Sequence, residues 1–396
     1  MRDNKNSFVK GAVCGACVML IIAAAAGCVK SGGLALGAGK KVVGKETESK
    51  LELLQAIVQS KYLHGEEVDE SALKESIYKG YIDGLDDPYS VYYDEEETKE
   101  MQESSAGEFG GIGVSMSQDP ESKVITLLNV SKDAPAGKAG IENEDILYKV
   151  DGEDITSMDS DEVVAKVRGE VGTEVKITVL KAETGEEKEY TIVRDTIKQD
   201  TVYHEMKDGS IGYIYVKEFD TVTSEQFEDA LSDLESQGMK GLVVDLRYNG
   251  GGNVTTVCEM LDLLLPEGTI VYSEDKEGKK EVYSSDEEHQ FQKPMAVLVN
   301  QYSASASEIF AGAIQDYKKG DIVGVTTFGK GVMQNVFDLK DGTSVKITTD
   351  QWFTPNGRNV QGEGIKPDVE VEYDRSNVEA DNQLQVAIDN VKQKTE

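Results

Sequence analysis

The 396-residue sequence predicts a multidomain α+β protein whose largest part is a layered α/β core. Three observations carry that reading. From 209 to 370, apolar strand-like runs alternate with helical patterns, the order expected of helices packed on a sheet. Residues 106–195 change character, with a glycine-rich opening followed by short strands and a short helix. Residues 1–29 are unlike everything after them, a basic start running into an uncharged apolar stretch. At about 100–200 residues per domain, the length suggests two or three domains.

Charge divides the chain in the same way. Residues 1–45 hold seven Lys/Arg and one Asp, a balance of +6, whereas residues 46–396 carry −39. So acidic a body repels phosphate backbones, and nucleic acid is excluded as a natural partner. A 39 % hydrophobic content supports packed cores and excludes wholesale disorder. Four cysteines make no disulfide scaffold: Cys14 and Cys17 lie in the apolar run, Cys28 ends it, and Cys258 stands alone. The three histidines, His64, His204 and His289, are far apart, which leaves few candidates for a histidine-based mechanism. No metal site or cofactor is expected.

Arg2, Lys5 and Lys10 precede 19 uncharged residues, 11–29, near the length of a helical membrane span. The positive flank stays inside, so the body is expected outside the cytoplasm. The run reads as a signal anchor, as a lipoprotein signal with Cys28 lipidated, or as a signal removed completely. Residues 30–45 are Gly- and Lys-rich and read as a linker. From residue 46 the pattern is helical, with Leu51, Leu54, Ile57 and Val58 on one stripe and Leu73, Ile77, Tyr81 and Leu85 on a second. These stripes need an apolar partner, either the body or a second copy of the chain. The spacings Ser71/Lys74 and Ser76/Lys79 match the S-x-x-K of penicillin-binding enzymes, but they lie on a charged helix without that motif's companions.

Beyond 195 come IGYIYV, a helix over 223–237, GLVVDL, a helix over 254–265, AVLVN, a helix over 307–317 and GDIVGV. The segment from 374 reads as a polar tail that can hold one more helix.

Three constellations could carry chemistry. In AVLVNQYSASASEIF, Ser305 sits where a buried strand turns into a helix, among small residues. Backbone N–H groups at such a turn can stabilise an oxyanion, although Ser305 and Glu308 also fit an ordinary capping box. In TTFGKGVMQNVF, Lys330 lies between glycines, with no acid from Thr326 to Asn335. A lysine in apolar surroundings has a lowered pKa and can act as a base. If the chain is extended, Lys330, Val332 and Gln334 share a face, and Gln334 can hold the amine. In GLVVDLRYNGGGN, the glycines after the strand either gather amide groups around an anion or form a flexible turn, and Asp245 with Arg247 suggests a structural ion pair.

Together these segments resemble the carboxyl-terminal processing peptidases, or tail-specific proteases, bacterial serine peptidases with a Ser–Lys dyad. The resemblance covers most of residues 46–373 and rests on GLDDPYSVYY (84–93), GGIGV, LRYNGGG, SASASEI, TFGKGVMQ and TPNGRNVQGEGIKPD (354–368). It implies a crotonase- or ClpP-like core over 196–373, a helical region over 46–105 and an inserted PDZ domain over 106–195. It further implies Ser305 as nucleophile, Lys330 as general base, Gln334 as its orienting partner, and the amides of Gly251 and Ala306 as oxyanion donors. Within the PDZ domain, Gly110, Gly111, Ile112 and Gly113 map to the loop that binds a terminal carboxylate, and Arg168 to a family arginine able to sense occupancy. The expected protein is a membrane-tethered extracytoplasmic endopeptidase acting on proteins with free, apolar C-termini. The competing expectation is a PDZ-bearing adaptor on a protease-like scaffold without activity.

Overall fold

The computed structural model describes residues 42–377 and 380–395. The leader, with Cys14, Cys17 and Cys28, lies outside the described residues. No described helix is long and apolar enough to cross a membrane.

The chain divides into two units, the first ending at Leu73. Within the first, a helix over Lys45–Lys61 carries acidic residues in its first turn and Lys61 in its last, matching the helix dipole. None of its residues is buried, and Leu51, Leu53, Leu54 and Ile57 are exposed.

The second unit contains two domains. Its central sheet has six strands in the order Val202–Lys207, Ile211–Val216, Gly241–Asp245, Met295–Val299, Gly320–Gly324 and Val369–Glu370. The first pair is antiparallel and the rest are parallel. Parallel strands are covered on both faces, so their side chains are apolar at successive positions. Leu242 and Val244 face a core built with Phe227, Leu234, Met260 and Phe310, from helices Thr223–Ser236, Val254–Asp262 and Ala306–Asp316. Val243 faces the other side, where Ala387, Ile388 and Val391 of the helix Asn382–Thr395 cover it. The expected polar tail is therefore structural: its helix closes one face of the sheet. A second sheet joins Val91–Tyr93, Ser344–Phe353, Gly268–Asp275 and Lys280–Ser285, with Val332–Asp338 also paired to Ser344–Phe353.

The other domain has its own core around Ile125, Leu127, Leu147, Val163, Ile177 and Ile192. Its sheet runs Ser115–Gln118, Ile125–Leu128, Ile146–Val150, Glu174–Leu180, Glu187–Val193, which leaves Ser115–Gln118 at an edge beside the helix Ser160–Val167. Entry and exit strands, Glu108–Gly111 and Asp195–Lys198, pair with each other, so the domain leaves and rejoins the chain at one place. Gly110 and Gly111 thus belong to a strand, and only Ile112 and Gly113 lie in the turn before the edge strand. Within that extended strand, position 110 requires glycine because a Cβ there would stand 2.0 Å from the Gly169 carbonyl oxygen.

Candidate active site

Three short segments at the ends of the parallel strands build the site. The first is the turn after Met295–Val299. Ser303 is fully buried; its hydroxyl donates to the Leu246 carbonyl (2.8 Å) and accepts from the Asn300 N–H (2.9 Å). Ser307 is also fully buried and donates to the Asn249 carbonyl (2.9 Å). Ser305, between them, is partly open and lines a cleft of about 720 Å³. Its φ of 55° and ψ of −113° lie outside the ordinary regions for an L-residue, a strain of the kind held at functional sites.

The second segment follows Gly241–Asp245. Asn249 is fully buried: its Nδ2 donates to Val216, its Oδ1 accepts from the Gly251 N–H (2.8 Å), and its carbonyl accepts from Ala304 (3.1 Å). Gly251, at φ 108°, is pressed against the Ser305 turn; a Cβ there would meet both the Ala304 carbonyl oxygen and Ser305 Cβ at 2.8 Å. The expected oxyanion donors therefore differ. The Ala306 N–H makes no hydrogen bond at the helix start, whereas that of Gly251 is given to Asn249 and must be released before it can serve. Asp245 and Arg247 form the ion pair that the sequence suggests, at 2.6 Å, and Arg247 reaches Asp381 at 2.7 Å. They fasten the C-terminal helix and do not line the cleft.

The third segment carries Lys330. Its backbone is held from every side: the Lys330 and Gly329 N–H groups donate to the carboxylate of Glu308 (2.8 and 2.7 Å), and its carbonyl accepts from the indole of Trp352 (2.9 Å). Glu308 is fully buried, and the same carboxylate also accepts from Thr327 Oγ1 (2.6 Å) and from the Ser305 N–H (2.9 Å). One acid thus fixes the Ser305 turn to the lysine loop. Sequence reasoning saw Glu308 as a cap and did not single out Asn249; no motif at the local level reveals a partner twenty residues away.

The Lys330 amine has no hydrogen bond or ion pair and stands over the Tyr89 ring, 4.6 Å from its centroid. Burial pushes its pKa below the usual lysine value and Lys346 pushes it further down, against the opposing pull of Asp87 and Glu308. Gln334 lines the same cleft but does not hold the amine. The strand begins only at Val332 and its register slips between Met333 and Gln334, and Gln334 Nε2 donates to Thr348 Oγ1 instead (3.1 Å). No histidine lines the cleft. Lys79, of the second S-x-x-K, is bound to Asp94 and Glu97, which raise its pKa and disqualify it as a neutral base. Arg168 stacks on Phe109, its guanidinium carbon 3.8 Å from the ring centroid.

Fold and cleft define a serine peptidase class, and three family models match: Peptidase family S41 over residues 210–371, a PDZ domain over 126–181, and the activating protease CtpB N-terminal domain over 29–98. The carboxy-terminal processing protease CtpA of Bacillus subtilis is 39 % identical over 328 residues, 82 % of this chain and 70 % of that protein. A CtpA-like serine protease of Staphylococcus epidermidis is 36 % identical over 352 residues, 87 % of this chain and 70 % of that protein. Among solved structures, the photosystem II D1 C-terminal processing protease is 28 % identical with a TM-score of 0.47, covering 83 % of this chain and 88 % of its own. The chain belongs to the carboxy-terminal processing protease family, as a bacterial serine-type peptidase with a PDZ domain.

Proposed function

We propose that the protein hydrolyses peptide bonds through a Ser305–Lys330 dyad and selects substrates by their free C-termini. One observation carries the reading: a half-buried lysine amine without a hydrogen-bonded carboxylate partner lines the same cleft as a strained, partly open serine. Neutral Lys330 takes the Ser305 hydroxyl proton as Oγ attacks the carbonyl carbon, and the ammonium returns it to the departing amine. Water, deprotonated by the same lysine, then releases the acyl group. Ala306 N–H and the released Gly251 N–H serve the oxyanion, and Gln334 orients the amine once it leaves Thr348. The free edge at Ser115–Gln118 suits an added strand, with the turn at Ile112 and Gly113 at its start for the carboxylate. The leader would place this activity outside the cytoplasm, tethered by the apolar segment or by a lipidated Cys28. Pairing of the exposed N-terminal helices would make a dimer.

Ser305→Ala and Lys330→Ala are each expected to lower turnover of an unfolded reporter at least a thousandfold, and the double variant no further, because the two act as one unit. Replacing His64, His204 and His289 together leaves turnover intact. Cleavage by Ser305→Ala at the wild-type rate removes the dyad, and absence of cleavage by the wild type restores the adaptor reading.

A further inference from the structure

The cleft holds a carboxylate that the proposed mechanism does not use. Asp220 is 7 % exposed and lines the cleft with Ser305, Gly250 and Gly251; among the described residues its carboxylate has no hydrogen bond or ion pair, and its oxygens are still reached by solvent. A carboxylate that is largely desolvated and unpaired is costly, and the loss of water is normally offset by a cation or by N–H donors. Here the surroundings oppose it. Its Oδ2 comes near Gly107, the left-handed cap that ends the helix Glu95–Ala106, so it faces the negative end of a helix dipole. Glu218 adds a like charge from the same segment, opposed by Lys217.

The backbone nevertheless holds the residue firmly. Thr223 Oγ1 accepts from the Asp220 N–H (3.0 Å), the Thr221 N–H donates to Ser105 (3.1 Å), and Phe219 bridges Gly252 with its N–H on the Gly251 carbonyl (3.1 Å). Asp220 is thus one residue from a strand contact to the glycine loop beside the nucleophile. The remaining charged groups of the cleft are Glu97, already bound to Lys79, Glu100 on the same helix, and Lys330 and Lys346. The cleft thus carries both signs of charge, the carboxylates of Glu97, Glu100, Glu218 and Asp220 and the amines of Lys330 and Lys346. A single buried carboxylate offers too few oxygens for calcium or magnesium.

We propose that Asp220 forms a specificity subsite for a lysine or arginine side chain next to the scissile bond. This rests on the reading of Ser305 as the nucleophile of this cleft. Burial and Glu218 push the Asp220 pKa up to about 6, so the carboxylate is charged above that pH and attracts the substrate cation there.

The test uses the full chain and unfolded reporters that carry lysine or its uncharged isostere norleucine at each position flanking the cleaved bond, read as the kcat/KM ratio within each enzyme. At pH 8 wild type is expected to prefer lysine about tenfold at one flanking position. That ratio should fall toward one below pH 6; the Lys330 limb cancels because it acts on both reporters. Asp220→Asn should abolish the preference and Asp220→Glu retain it. A wild-type ratio near one at every position overturns the proposal without needing any variant, as does an undiminished preference in Asp220→Asn. Loss of the dyad reading is seen separately, as cleavage of both reporters by Ser305→Ala.

Discussion

Two glycine-rich segments, 110–113 and 250–252, look alike in sequence and do different things. At 110, glycine is extended and its missing side chain makes room for the Gly169 carbonyl, which accepts nothing from it but would collide with any Cβ; the Gly169 N–H in turn donates to the Gly110 carbonyl (3.1 Å). At 251 and 252, φ values of 108° and 143° combine a conformation L-residues avoid with a close approach, to Ser305 in one case and Phe219 in the other. Glycine at 110 serves packing between chain segments. At 251 it serves packing and backbone conformation together, at the edge of the reaction.

That contrast can be broken most strongly at Gly251. Gly251→Ala combines an unfavourable φ with contacts at 2.8 Å to the nucleophile turn, so kcat is expected to fall at least a hundredfold, while the affinity of the PDZ domain for a tail peptide, read by fluorescence anisotropy, stays at the wild-type value. Turnover near wild type would show that the loop can move away and that its geometry does not set the rate. Gly110→Ala has a smaller expected effect and a different signature. Separating the 110 and 169 backbones should weaken tail-peptide binding about tenfold, because the displaced strand carries the turn at Ile112 and Gly113. The loss should appear in KM for tailed reporters; a loss confined to kcat would mean that the two glycine segments act on the same step.

The smallest effect sharpens the core side of the comparison, separating charge from backbone geometry. Lys346 lowers the Lys330 pKa by like-charge repulsion. Lys346→Gln removes that repulsion, raises the Lys330 pKa, and so moves the rising limb of kcat/KM to higher pH. A limb that stays in place would mean that burial alone keeps the amine neutral.

Much of this was legible in the sequence, and the losses have identifiable causes. The parallel core could be read because strands buried on both faces, such as GLVVDL and AVLVN, are apolar without interruption. Ser305 and Lys330 stood out because small residues and missing acids are local properties. The C-terminal helix reads as tail because its buried stripe, Ala387, Ile388 and Val391, is narrow within a polar sequence, and the ion pair of Asp381 with Arg247 joins residues 134 apart in the chain. Gln334 was placed against Lys330 by strand alternation, which the register slip after Met333 defeats. Gly251 was assigned as a donor without knowledge that Asn249 Oδ1 already holds its N–H.

The indole of Trp352 donates to the Lys330 carbonyl, and the sequence contains one tryptophan. Every photon of indole emission from this chain therefore originates beside the lysine loop, in a fully buried environment. The protein carries its own optical probe of that loop. Emission wavelength and quenching report whether the Lys330 segment stays closed as substrate tails arrive, with no label and no substitution.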